Sequence, residues 1–217
     1  MKNKCRKIFL TGCMLTASFV VWTLLVMKVD VQPVGVNGTN VGFAGINTAF
    51  HNLTGVNMTM YTVTDWLGLV PFMVCALFAV KGFIQLVKRK SLFKVDRDIV
   101  ILGIYYAAVI CVYVFFEIFT VNYRPVLIAG TMEASYPSST TLLVMAVMPT
   151  LVFQADYRLK KDKLKKMVRF VTISFSAFMV VCRLVCGVHW ITDIAGGLLI
   201  SSGMYCVYKS VALTYTT

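Results

Sequence analysis

The chain is a succession of long apolar runs separated by polar segments. Six such runs lie near 8–27, 67–87, 99–121, 140–156, 168–187 and 191–208. A bilayer core of about 30 Å is spanned by roughly 20 apolar residues in a helix. The pattern therefore predicts an all-α, polytopic membrane bundle of six transmembrane helices, with residues 1–217 forming a single integral membrane domain. The first run follows basic residues, as a signal peptide would, but no small-x-small cleavage pattern closes it, so it is expected to remain as a span. The longest polar stretch, 28–65, mixes Gly and Asn turn signals with apolar residues, which predicts a partly ordered cap or interfacial helix in this outer loop rather than a free linker.

Composition agrees with that reading: 59% of the residues are hydrophobic and 14% charged, well away from the balance of a soluble domain. A net charge of +12 would suggest a nucleic-acid partner in a soluble protein, but its distribution argues otherwise. Lys2, Lys4, Arg6 and Lys7 precede the first run, and Lys88, Arg89, Lys90, Lys94 and Arg97 separate the second from the third. Arg158, Lys160, Lys161, Lys163, Lys165, Lys166 and Arg169 separate the fourth from the fifth, and Lys209 follows the sixth. If the spans alternate, these groups share one side with both termini, and the positive-inside rule makes that side cytoplasmic. No nucleic-acid partner is expected; the partners are the bilayer and its lipids. Six passes with short loops point to a multi-pass protein of a bacterial plasma membrane. The seven cysteines lie mostly within the runs without paired spacing and read as small buried apolar residues.

Against this background the polar residues at the opposite ends of the runs stand out, because ionisable groups at membrane depth are costly. The segment Cys182-Arg-Leu-Val-Cys-Gly-Val-His-Trp-Ile-Thr-Asp193 carries three of them. Arg124-Pro125 lies on the same predicted side, as does Tyr136-Pro-Ser-Ser-Thr-Thr141. Ser138 suits a helix N-cap, and the free amides beyond it, among the small side chains of Ser139 and Thr140, form a natural anion site. Arg124 and Arg183 match phosphate oxygens in bidentate fashion. His189 and Asp193 stand four apart; on one helical face, the carboxylate would orient the imidazole for attack on phosphorus. Each feature alone has a plainer reading as a capped helix, a snorkelling arginine or an interfacial His-Trp turn, and their convergence on one face is what favours phosphate chemistry. With two histidines and no carboxylate cluster around them, no metal and no cofactor is expected.

In this order the segments resemble the type 2 phosphatidic acid phosphatase superfamily. Its pattern is Lys, six residues, Arg-Pro; then Pro-Ser-Gly-His; then Ser-Arg, five residues, His, three residues, Asp. The third motif is met by Cys182-Arg183, His189 and Asp193, with only the leading Ser replaced. The resemblance, over about 67–208, implies a helical bundle with an outward-facing site. It implies that Arg124, Ser138 and Arg183 hold phosphate with the start of the fourth span, that His189 is the nucleophile and that Asp193 orients it.

Two positions depart from the pattern. Glu117 stands where the family has Lys, and Ser139-Thr140 stands where it has Gly-His. The family's second histidine protonates the leaving group, which threonine cannot do at neutral pH. An alcohol leaving from a monophosphate, with a pKa roughly like that of water at ~15.7, gains about 10²–10⁴-fold from a general acid. A phosphate leaving from a diphosphate, with a pKa near about 6, departs unaided. The sequence thus leans toward a lipid diphosphate such as a polyprenyl diphosphate over a monophosphate. Glu117, Glu133 and His51 are the candidate replacement acids, and Glu117 is expected rather to pair with Arg124 or Arg183. A catalytically impaired lipid- or partner-binding relative and a lipid phosphotransferase are the competing readings. A transporter fits less well, since the charges gather at one face.

Overall fold

A computed structural model describes residues 2–216. Among them the regular elements are α1 (Lys2–Lys28), α2 (Ala44–Thr54), α3 (Met58–Leu67), α4 (Leu69–Arg89), α5 (Arg97–Ile118), α6 (Ser139–Arg158), α7 (Asp162–Val185) and α8 (Ile191–Thr216). Six helical stretches are long and apolar enough to cross a membrane, in agreement with the six runs. One differs in extent: the second runs from Met58 to Arg89, because α3 continues almost directly into α4. The join is at Gly68, whose N–H reaches both Thr64 O (2.9 Å) and Asp65 O (3.0 Å). Thr62, Thr64 and Asp65 disguise α3 as loop in the sequence, yet Thr64 is fully buried and donates back to Met60 O and Tyr61 O. The third span ends at Ile118 rather than near 121, where the chain turns into an irregular segment.

Segment 28–65 carries a short 3₁₀ turn, α2 and the start of α3, which form a cap over one end of the bundle. Buried Asn47 on α2 donates to Gly42 O (2.7 Å) and Thr192 Oγ1 (3.0 Å), and Asn57 N donates to Cys186 O (3.0 Å). The second contact depends on Gly187, which sits at φ 69°, and a Cβ there would lie 1.8 Å from Gly55 O. Only glycine lets the α7–α8 turn meet the cap so closely.

α8 is central and packs on α1, α5 and α6. Its crossing with α1 uses Gly12 and Gly203: a Cβ on Gly12 would lie 2.8 Å from the Val207 backbone nitrogen, and one on Gly203 would lie 3.0 Å from that of Thr16. Small residues allow such approach where lipid provides no hydrophobic drive for association. Between α4, α5, α6 and α8, Leu102, Val109, Val147, Tyr208 and Ala212 form a buried core, while side chains such as Phe170 and Ile104 point outward to where lipid would lie. At the end opposite the cap, Arg158 pairs with Asp98 and Asp96, and Arg89 with Asp96 (2.8 Å), tying together α4, α5 and α6. The basic clusters and the capped polar residues thus occupy opposite ends.

Candidate active site

Three segments meet beneath the cap. The first is the α5–α6 connection, 119–138, which folds back on itself through Arg124 N to Glu133 O (3.1 Å) and Ser135 N to Asn122 O (2.9 Å). This pairing sets Arg124 and Ser135 on adjacent backbone strands. The second is the start of α6. Ser138 is its N-cap, fully buried, with Oγ accepting from Thr141 N at 3.5 Å and its own N–H donating to Asp193 O (3.0 Å). The third is the α7–α8 turn with the last turn of α7, carrying Arg183, His189 and Asp193. Trp190 Nε1 pins this turn to Tyr123 O (2.8 Å).

Both arginines are buried, Arg183 at 1% exposure and Arg124 at 8%, and both face the ring of Tyr61 on α3, at 4.9 Å and 5.5 Å. Each has one carboxylate partner: Arg183 Nη2 meets Asp65 Oδ1 at 3.0 Å, and Arg124 Nη2 meets Glu133 Oε2 at 3.2 Å. Arg124 Nε also donates to Ala134 O (3.4 Å), which leaves Nη1 of Arg124 and both Nε and Nη1 of Arg183 unpartnered. His189 Nε2 and Thr141 Oγ1 are buried without a partner as well. An unpaired buried polar group costs about 1–3 kcal/mol, more when charged. Several within one cluster describe a site shaped for an oxyanion, with guanidinium donors, a helix N-terminus and an imidazole nitrogen to receive it.

His189 and Asp193 do not meet as the sequence predicts. α8 begins at Ile191, so His189 lies in the turn before it, and Nδ1 is 4.0 Å from Asp193 Oδ2. The hydroxyl of Ser135 stands between them, 3.0 Å from His189 Nδ1 and 2.5 Å from Asp193 Oδ2. Asp193 is fully buried; its Oδ2 also accepts Trp190 N (2.9 Å), and its Oδ1 lies 3.5 Å from Asn122 Nδ2. Burial, and then the nearby cations of Arg124 and Arg183, hold the His189 imidazole well below the usual histidine range.

The candidate acids are dispersed. Glu117 does not take the expected arginine partner: Arg124 is held by Glu133 and Arg183 by Asp65. Instead Glu117 lines a small hollow with Tyr113, Ala134, Tyr136 and Ser139, beside the start of α6. Glu133 is engaged by Arg124. His51, on α2, packs against the Trp190 ring at 5.6 Å, and burial lowers its pKa. Ser139 and Thr140 form the first turn of α6 and are half-buried.

Ser135, Asn122, Tyr61 and Asp65 escaped the sequence reading. Ser135 is 54 residues from His189, and no linear spacing links them. Asp65 carried a signal: a carboxylate at the edge of an apolar run invites a cationic partner.

The PAP2 superfamily model matches residues 98–215. The crystal structure of a transmembrane PAP2-type phosphatidylglycerolphosphate phosphatase from Bacillus subtilis superposes with a TM-score of 0.65 at 17% identity, covering 94% of this chain and 96% of that one. Among curated proteins, none matches the sequence. The solved structure shares the fold. The family match extends over more than half of the chain and takes in both arginines, the start of α6 and the α7–α8 turn, and on that ground the chain belongs to the PAP2 superfamily.

Proposed function

We propose that this protein is a membrane lipid phosphatase that works at the outer face of a bacterial plasma membrane through a phosphohistidine on His189. The observation that carries the reading is the meeting of unpartnered Arg124 and Arg183 donors with an unpartnered His189 Nε2. The outward orientation rests on the basic clusters at the opposite end of the bundle. The arginines and the first turn of α6 hold the phosphoryl oxygens. Nε2 attacks phosphorus, the P–O bond to the lipid breaks with its electron pair, and water then displaces the imidazole. Every named role is played by a side chain of this chain, without metal or cofactor.

Thr140 supplies no acid, so a leaving group that departs unprotonated is the natural substrate, and a polyprenyl diphosphate is favoured. A lipid monophosphate, the class on which the Bacillus subtilis neighbour acts by its description, is the second substrate. For it, Glu117 is the best-placed replacement acid, because it shares a hollow with Ser139 in the first turn of α6, while Glu133 is engaged by Arg124.

Phosphate release by the purified protein, with chelator and without added metal, from paired diphosphate and monophosphate lipids tests the reading. Release is expected from the diphosphate, faster by about 10²-fold or more than from the monophosphate. Equal rates would place a working acid in the site, and silence on both would favour a binding-only relative. Transfer of phosphate to an added alcohol in place of water would identify a phosphotransferase.

The pH dependence follows from His189. The neutral imidazole is the nucleophile, and its pKa in the fold lies below the ordinary value of 6.5. It therefore remains neutral as the pH falls through 6.5 and is lost only below that, as the pH passes the lowered value. The acid limb of kcat/KM for diphosphate hydrolysis is expected below pH 6.5. A limb at or above this point would contradict the account.

A further inference from the structure

We propose that Ser135 is the positioning residue of the nucleophile: its hydroxyl joins Asp193 to His189 and fixes the imidazole with the proton on Nδ1 and the lone pair on Nε2. The inference rests on the reading of His189 as the nucleophile and goes beyond it by naming the group through which Asp193 acts.

The geometry allows few alternatives. At 4.0 Å, Nδ1 of His189 and Oδ2 of Asp193 are too far apart to hydrogen-bond directly. Ser135 Oγ lies within bonding distance of both, at 3.0 Å and 2.5 Å. It is 2% exposed, and its backbone is held by the bond from Ser135 N to Asn122 O. Asp193 Oδ2 already accepts Trp190 N, so it acts as an acceptor, and the single hydroxyl proton of Ser135 goes to it. Ser135 Oγ is then left with lone pairs toward the ring. Only a protonated Nδ1 completes the chain, running from Nδ1–H to Ser135 Oγ and from its O–H to Asp193 Oδ2. Which ring nitrogen carries the proton is fixed by what its partner can accept.

This matters because the opposite tautomer would present an N–H, not a lone pair, to phosphorus. With Nδ1 protonated, the Nε2–P bond forms as the P–O bond to the lipid breaks and the leaving oxygen takes that electron pair. The ring becomes cationic and retains its Nδ1 proton, while Asp193 stabilises the charge through Ser135. When water attacks, the P–N pair returns to Nε2, and the surplus water proton passes to the phosphate or solvent. Ser135 is neutral throughout and neither gains nor loses a proton.

The experiment is ¹⁵N NMR of the full-length protein, labelled at histidine and reconstituted in liposomes near neutral pH, together with kcat and KM on whichever lipid phosphate the wild type hydrolyses. The chain has two histidines, so His51 serves as the internal reference. The wild type is expected to show His189 protonated at Nδ1 and bare at Nε2. Ser135→Ala is expected to lose that preference and about 10²-fold in kcat with little change in KM, the size of loss that follows a misplacement of about 1 Å in a reacting group. Ser135→Thr, which keeps the hydroxyl, should restore both; Ser135→Cys replaces the alanine variant if the latter does not fold. A wild-type proton on Nε2, an unchanged tautomer in Ser135→Ala, or a changed tautomer with undiminished kcat would each overturn the proposal. Undiminished turnover in His189→Ala would instead sink the nucleophile assignment and leave the hydrogen-bond result standing.

Discussion

His189→Ala is expected to lower lipid diphosphate hydrolysis by about 10⁴-fold or more and to abolish any phosphoenzyme, as loss of a covalent nucleophile does elsewhere. The fold should survive. His189 lies in a turn and its imidazole bonds to Ser135, whose hydroxyl remains held by Asp193 when the imidazole is removed. Asp193 is a different matter. Its side chain accepts Ser135 Oγ and Trp190 N, so Asp193→Ala would loosen the α7–α8 turn and its tie to the α5–α6 connection as well as the chemistry. The alanine at His189 is therefore the cleaner probe. Phosphate release and melting temperature of the purified variant check it: a lost rate with a retained melting transition is the expected pair.

The second large effect is a gain. Thr140→His places an imidazole at the second position of α6, where the family carries its proton donor. Monophosphate hydrolysis should rise by about 10²–10⁴-fold, because an alkoxide-like leaving group needs a proton. Diphosphate hydrolysis should change little, since a departing phosphate needs none. Thr140 is half-buried at the helix start, so the larger ring has room at the site's edge. Measurement of both rates in the same preparation separates this gain from a general change in folding or expression. A variant that gains nothing on the monophosphate, while Glu117→Gln abolishes the wild type's monophosphate activity, would assign the acid to Glu117.

The six spans were legible because a bilayer demands apolar length, and that demand is written in consecutive residues. The ends of α3 were not, because Thr64 and Asp65 look solvent-facing in a linear reading although Thr64 is buried by returning its hydroxyl to the helix backbone. Arg124, Arg183, His189 and Asp193 were visible as charges misplaced in apolar surroundings. The structure gathers them around the start of α6, while His51 and Glu133 find other partners. Ser135 was invisible for a reason of its own. A serine in an irregular segment has no periodicity, and its importance comes from a backbone pairing, Ser135 with Asn122, that no local pattern announces. The expected direct contact of His189 with Asp193 failed at the same place, because the helix begins two residues too late to bring them onto one face. Spacing named the participants, and only the folded turn showed which atoms touch.

Catalysis through His189 requires a covalent phosphoryl group on one nitrogen of one residue. The most direct measurement is rapid quench of the protein during turnover of ³²P-labelled lipid diphosphate into alkali, where phosphohistidine persists, followed by mapping of the labelled peptide. Label is expected on the peptide containing His189, attached at Nε2, and none in His189→Ala. Turnover without any labelled peptide, or label on Ser138, Ser139 or His51, would contradict it.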